Sequence, residues 1–100
     1  MRINICGIPH EVVECEDIFD ANSMHLGQIE FKDAKIMINN NIAPAVKEAT
    51  ICHEVLHGML VHIGRDDLSN DEQFVTALGN AIYQAFNVRY LDGEEREHDI

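Results

Sequence analysis

Pro44-Ala45-Val46-Lys47-Glu48-Ala49-Thr50-Ile51-Cys52-His53-Glu54-Val55-Leu56-His57-Gly58-Met59-Leu60-Val61-His62-Ile63-Gly64 is the stretch on which the reading of this chain turns. Proline is favoured at the first helical position, where its missing N–H costs nothing. Glycine is common just past a helix end, because it takes a left-handed conformation without a Cβ penalty. Together they bracket a helix over residues 44–63. With His53 set at 0° and about 100° per residue, Cys52, Val55, Leu56, Met59 and Ile63 fall at roughly 200–300°. The spacing predicts one apolar stripe against a core. His53 and His57 lie outside it, about 40° apart on one face and one turn apart along the axis.

His53-Glu54-Val55-Leu56-His57 is an H-E-x-x-H sequence inside that helix. The spacing lets two imidazole nitrogens reach one Zn²⁺ at about 2.0–2.1 Å. Glu54, about 100° round from His53, stands beside the metal without binding it. There it is the candidate general base, taking a proton from zinc-activated water. A catalytic zinc has three protein ligands and keeps a fourth position open. The third ligand must come from elsewhere. An extended motif with Gly at position 60 and His at position 63 is excluded, since Leu60 and Ile63 stand there. Glu72, in the first turn of a second predicted helix, is the first candidate, and Asp71 is its rival. The bland alternatives are helix-surface or core histidines and a capping carboxylate at position 72.

That second helix carries Val75, Leu78, Ile82 and Phe86 at spacings of three and four, an amphipathic stripe that fades near Leu91-Asp92-Gly93. Ser69 or Asn70 is expected to cap it, and residues 65–70 to be a plain connection. Upstream, Gly7-Ile8-Pro9 marks a turn between β-like runs at 2–6 and 10–15. Residues 16–26 read as a loop with one helical turn. Residues 27–31 alternate with the period of a half-buried strand. Asp33-Ala34 is a tight turn, and residues 35–39 form another short strand. The fold class expected is α+β, a three- or four-stranded sheet followed by two main helices. Residues 1–93 make one domain, and 94–100 a charged, disordered tail.

Composition narrows the function. The 100 residues are 46% hydrophobic and 25% charged, ordinary for a globular domain. A net charge of −11 repels phosphate backbones, so nucleic acid is not an expected partner. No apolar run is long enough for a membrane helix or a secretory leader, so no membrane partner and a cytoplasmic location are expected. Cys6, Cys15 and Cys52 are odd in number and lack C-x-x-C spacing, which points to reduced thiols, with Cys52 in the core. Among the other histidines, His62 faces away from the motif at about 180°. His10 and His25 fall in strand or loop segments that can approach a cleft. His98 lies in the tail, from which it could reach the open zinc position.

His53-Glu54-x-x-His57 followed by Glu72 resembles the gluzincin metallopeptidases. The order Gly7-Ile8-Pro9, Gly27-Gln28-Ile29, short strand, H-E-x-x-H helix is similar to small phage and prophage zinc-peptidase-like proteins related to the ImmA/IrrE group. The resemblance spans most of residues 1–91, and only H-E-x-x-H in it is specific. It implies a zincin-like domain with His53, His57 and Glu72 as zinc ligands and Glu54 as general base. It also implies an endopeptidase whose peptide or protein substrate pairs with a sheet edge, either residues 27–31 or residues 35–38. Tyr83 and Tyr90 are candidates, by elimination, for steadying the oxyanion. A zinc-binding protein without turnover and a metal-free interaction module are the competing classes.

Overall fold

A computed structural model describes residues 1–16, 18–19 and 24–86. The protein is α+β. A four-stranded sheet is formed by β1 (Arg2–Ile5), β2 (Ile8–Cys15), β5 (Gly27–Glu30) and β6 (Lys35–Asn39), in the order β1-β2-β6-β5. The helices α1 (Pro44–His62), α2 (Asp66–Ser69) and α3 (Glu72–Phe86) follow. Between β2 and β5, β3 (Ile18–Phe19) and β4 (Met24–His25) pair antiparallel, where a loop with a helical turn was expected.

Two hairpins build the sheet. Cys6 and Gly7 join β1 to β2 with both φ angles positive, 50° and 84°. That is the geometry of a two-residue loop that suits strand twist, so Cys6 belongs to the turn and β2 starts at Ile8. Residues 31–34 join β5 to β6, closed by a bond from the Ala34 N–H to the Phe31 carbonyl with Ala34 at φ 52°. The hairpins meet through β2 and β6, which run parallel with Val12 opposite Ile36. This pairing makes β6 an interior strand. Of the two expected edges, only the run at 27–31 is one.

The sheet buries one face on α1. Ile5, Val12, Ile36, Ile38 and Ile51 form the main cluster, with Ile29 and Val55 packed against it. A second cluster, Leu56, Leu60 and Val75 with Leu68 and Ile82, joins α1 to α3. At about 1.5–3 kcal/mol per buried aliphatic side chain, the sheet layer is the larger contribution. Because α1 lies between sheet and α3, it has two apolar faces, and the single stripe expected from its sequence is corrected. Met59 and Ile63 are exposed, at 42% and 63%, while Ile51, Gly58 and Leu60 are buried. Likewise α3 buries Val75 and Gly79, whereas Leu78 and Phe86 are exposed. Residues 87–100, including Tyr90, His98 and the expected tail, lie outside the described residues. Among the described residues no helix is long and apolar enough to cross a membrane.

Candidate metal centre

Proline at the start of α1 and the left-handed Gly64 after it set the helix as expected. His53 and His57 then project from consecutive turns, ring centroids 4.8 Å apart and planes at 69°. Their Nε2 atoms face each other at 3.1 Å. Glu72, the first residue of α3, brings one carboxylate oxygen to each ring: Oε1 lies 2.7 Å from His57 Nε2, and Oε2 lies 3.2 Å from His53 Nε2. All three sequence candidates therefore converge, with ligand atoms within 4.8 Å of one another.

Carboxylate oxygens only accept, and a neutral imidazole has one N–H and one lone pair. At these distances each neutral ring can donate an Nε2–H to one Glu72 oxygen, or all three groups can turn lone pairs toward one cation. Around a tetrahedral zinc with bonds of about 2.0–2.1 Å, ligand atoms stand roughly 3.3–3.4 Å apart. The Nε2–Nε2 separation of 3.1 Å is within a few tenths of an ångström of that value, while the two carboxylate oxygens each approach a different ring. The donor set of two imidazoles and one carboxylate matches that of catalytic zinc sites. Burial lowers the pKa of His53 from its ordinary value, and the neighbouring His57 acts the same way, while Glu72 opposes them. The neutral ring is the form that binds a metal.

The supporting residues differ from expectation. Asp71, the rival ligand, is the helix cap: its Oδ1 accepts the Phe74 N–H at 3.1 Å. Ser69, expected to cap, is at the end of α2, a one-turn helix within the supposed plain connection. Its Oγ is 3.0 Å from His57 Nδ1. No local pattern signals that role, because it depends on how α2 folds back on α1. Gly79, which sequence periodicity passes over, packs on α1 at the level of His53, with a Cβ's worth of room left between them.

Glu54 is 8% exposed and lies between the ligands and β5. A Cβ built on Gly27 would stand 3.5 Å from Glu54 Cγ. An open cleft of about 690 Å³ runs over His53, Glu54, His57 and Glu72, with Gln28, Phe31, Val61 and Asn70 along it. A second hollow of about 470 Å³ shares Gly27, His53 and Glu54 and continues over Leu26, Val46, Ala49 and Asn80. The other sequence candidates stay apart. His10 is buried with Nδ1 on the Ile8 carbonyl at 2.8 Å, and His62 stacks edge-on against His10 and Phe31. Only the backbone of His25 is described. The Tyr83 hydroxyl donates to Glu48 at 2.9 Å, which removes it from consideration as an oxyanion donor in this geometry.

No protein-family model, curated protein or solved structure matches the chain.

Proposed function

We propose that this protein is a zinc-dependent endopeptidase of gluzincin type. The observation that carries the proposal is the convergence of His53 Nε2, His57 Nε2 and the Glu72 carboxylate, with Glu54 beside them. His53, His57 and Glu72 would hold the metal. A bound zinc supplies Lewis acidity, polarising a peptide carbonyl and lowering the pKa of a water.

The remaining work falls to the chain's own groups. Strand β5 is an edge. The Asn39 N–H donates to the Leu26 carbonyl, so alternate residues of β5 turn their backbone groups to β6. Gly27 and Ile29 therefore direct theirs outward, where an extended peptide can pair with them. A peptide in that position passes Glu54. The Glu54 carboxylate takes a proton from the attacking water and delivers it to the leaving nitrogen as the C–N bond breaks, so water and amide become carboxylic acid and amine, and the acid's proton passes to the amine to leave carboxylate and ammonium. The neighbouring apolar wall from β5 and α1 keeps this carboxylate partly dry.

The test combines metal content with hydrolysis. After zinc loading and desalting, plasma mass spectrometry is expected to find about one zinc per chain in the wild type and in Glu54→Gln. Cleavage of a mixed peptide library, read by mass spectrometry, is expected in the wild type alone. Hydrolysis retained by Glu54→Gln, or no zinc after loading, refutes the proposal. The second reading is a zinc protein that binds a peptide without cutting it. The engagement of Tyr83 with Glu48 favours it, since Tyr83 is the only tyrosine among the described residues. Equal peptide binding by wild type and Glu54→Gln, with no cleavage by either, would support it.

A further inference from the structure

We infer that Ser69 is a positioning residue that fixes the tautomer and ring orientation of His57 for metal binding, an inference resting on the metal-site reading above. Three observations carry it. Ser69 is 7% exposed, although serine usually faces water and α2 is a single turn on the surface. Its Oγ is 3.0 Å from His57 Nδ1, the nitrogen turned away from Glu72. The same hydroxyl donates to the His57 carbonyl at 3.5 Å.

The donor arithmetic then has one solution for the ligand state. A hydroxyl has one hydrogen and two lone pairs. Its hydrogen goes to the His57 carbonyl, and a lone pair is left for Nδ1. A neutral imidazole that binds a metal through Nε2 must carry its hydrogen on Nδ1. Ser69 Oγ is the acceptor placed to receive that hydrogen. The bond holds the ring plane as well as the proton, because Ser69 is anchored through its own backbone: its N–H donates to the Arg65 carbonyl at 3.1 Å. Ser69 thus plays toward His57 the part that carboxylates and backbone carbonyls usually play toward metal-binding histidines. A neutral hydroxyl does so without adding a charge beside Glu54 and Glu72.

The test measures zinc affinity by competition with a chromogenic chelator, in wild type, Ser69→Ala and Ser69→Thr. Loss of such a partner typically weakens metal binding about 10–100-fold. Ser69→Ala is expected to raise the zinc dissociation constant within that range, and Ser69→Thr to restore it, since the hydroxyl returns. In the zinc-loaded wild type, the His57 Nδ1–H proton is expected to be slow to exchange and visible by NMR. It should vanish in Ser69→Ala and reappear in Ser69→Thr. The melting temperature of the metal-free Ser69→Ala protein shows that the fold is intact. If wild type binds zinc and Ser69→Ala matches it within twofold, the role of Ser69 is overturned and the metal site stands. If wild type binds no zinc, the site reading itself falls, and this inference with it.

Discussion

Gly27→Ala puts a single methyl at the point where the cleft strand meets the helix that carries the histidines. Gly27 has no left-handed φ, so the backbone accepts alanine and the effect is steric. The new Cβ falls well inside 3.0 Å of Thr50 Cγ2 and 3.2 Å from the Met37 carbonyl oxygen. Carbon atoms pack at about 3.5–4.0 Å, so β5 and α1 must separate by roughly an ångström. Thr50 is buried, and its hydroxyl is tied to the Val46 carbonyl at 2.7 Å, so it cannot rotate away freely. Overpacking of this kind costs about 1–3 kcal/mol. Replacing glycine in a strand recovers about 0.5–1 kcal/mol, leaving a net loss of about 1–2 kcal/mol. For a domain of this size that lowers the melting temperature by roughly 5–10 °C.

The double-mutant cycle sharpens the prediction. Thr50→Ser removes Cγ2 and keeps the hydroxyl bond. Alone it costs about 1 kcal/mol for the lost methyl. Combined with Gly27→Ala, the alanine methyl fills the vacated space, so the pair should be more stable than the sum by about 1–2 kcal/mol. Urea unfolding of all four proteins reads this directly. Additivity within about 0.5 kcal/mol, or an unperturbed Gly27→Ala, would refute the steric reasoning. Because the ligands sit on α1 and α3, Gly27→Ala is also expected to keep its zinc while hydrolysis falls.

Further predictions concern the helices and thiols. Gly79→Ala should stabilise by about 0.5–1 kcal/mol, because its Cβ meets His53 Cα at an ordinary 3.6 Å and a helix interior favours alanine; a lowered urea midpoint would contradict this. Asp71→Ala should cost about 1 kcal/mol through the lost cap and leave zinc affinity unchanged, since Asp71 is committed to the Phe74 N–H; a weakened zinc site would return it to the ligand set. Burial, reinforced by Glu48, holds the Cys52 thiol above its ordinary pKa, whereas Cys6 is exposed. A thiol-reactive disulfide reagent at mildly alkaline pH should therefore modify Cys6 in the native protein and Cys52 only on unfolding, as located by peptide mass mapping.

Local chemistry explains what could be read from the chain without coordinates. Proline at 44 and glycine at 64 act within a residue or two of themselves, and α1 fell between them. The histidine spacing needs only a helix, and Glu72 needs only a helix folded back on the first. The remainder depended on non-local packing. Nothing in residues 35–39 distinguishes an interior strand from an edge, because parallel pairing with β2 is set by what the distant strand buries. The single stripe inferred for α1 failed because two layers pack on it, moving Met59 and Ile63 into solvent. Ser69 has the composition of a cap, but it ends α2, and Asp71, two residues on, takes that position.

The topology also separates the molecule into parts that can form in a particular order. The hairpins β1–β2 and β5–β6 and the helical pair α1–α3 each join segments adjacent in the chain. Among the described residues, the β2–β6 pairing and the seating of α1 on the sheet are the main contacts that need distant segments to meet. The candidate ligands His53, His57 and Glu72 all belong to the helical pair, so the proposed metal-binding set lies within residues 53–72. The cleft that would hold a peptide does not, since its other wall is β5. The proposed ligand set is thus fixed by helix packing, whereas a place for a peptide needs the sheet as well. The proposed chemistry would therefore depend on the long-range contacts that seat α1 on the sheet as well as on the metal.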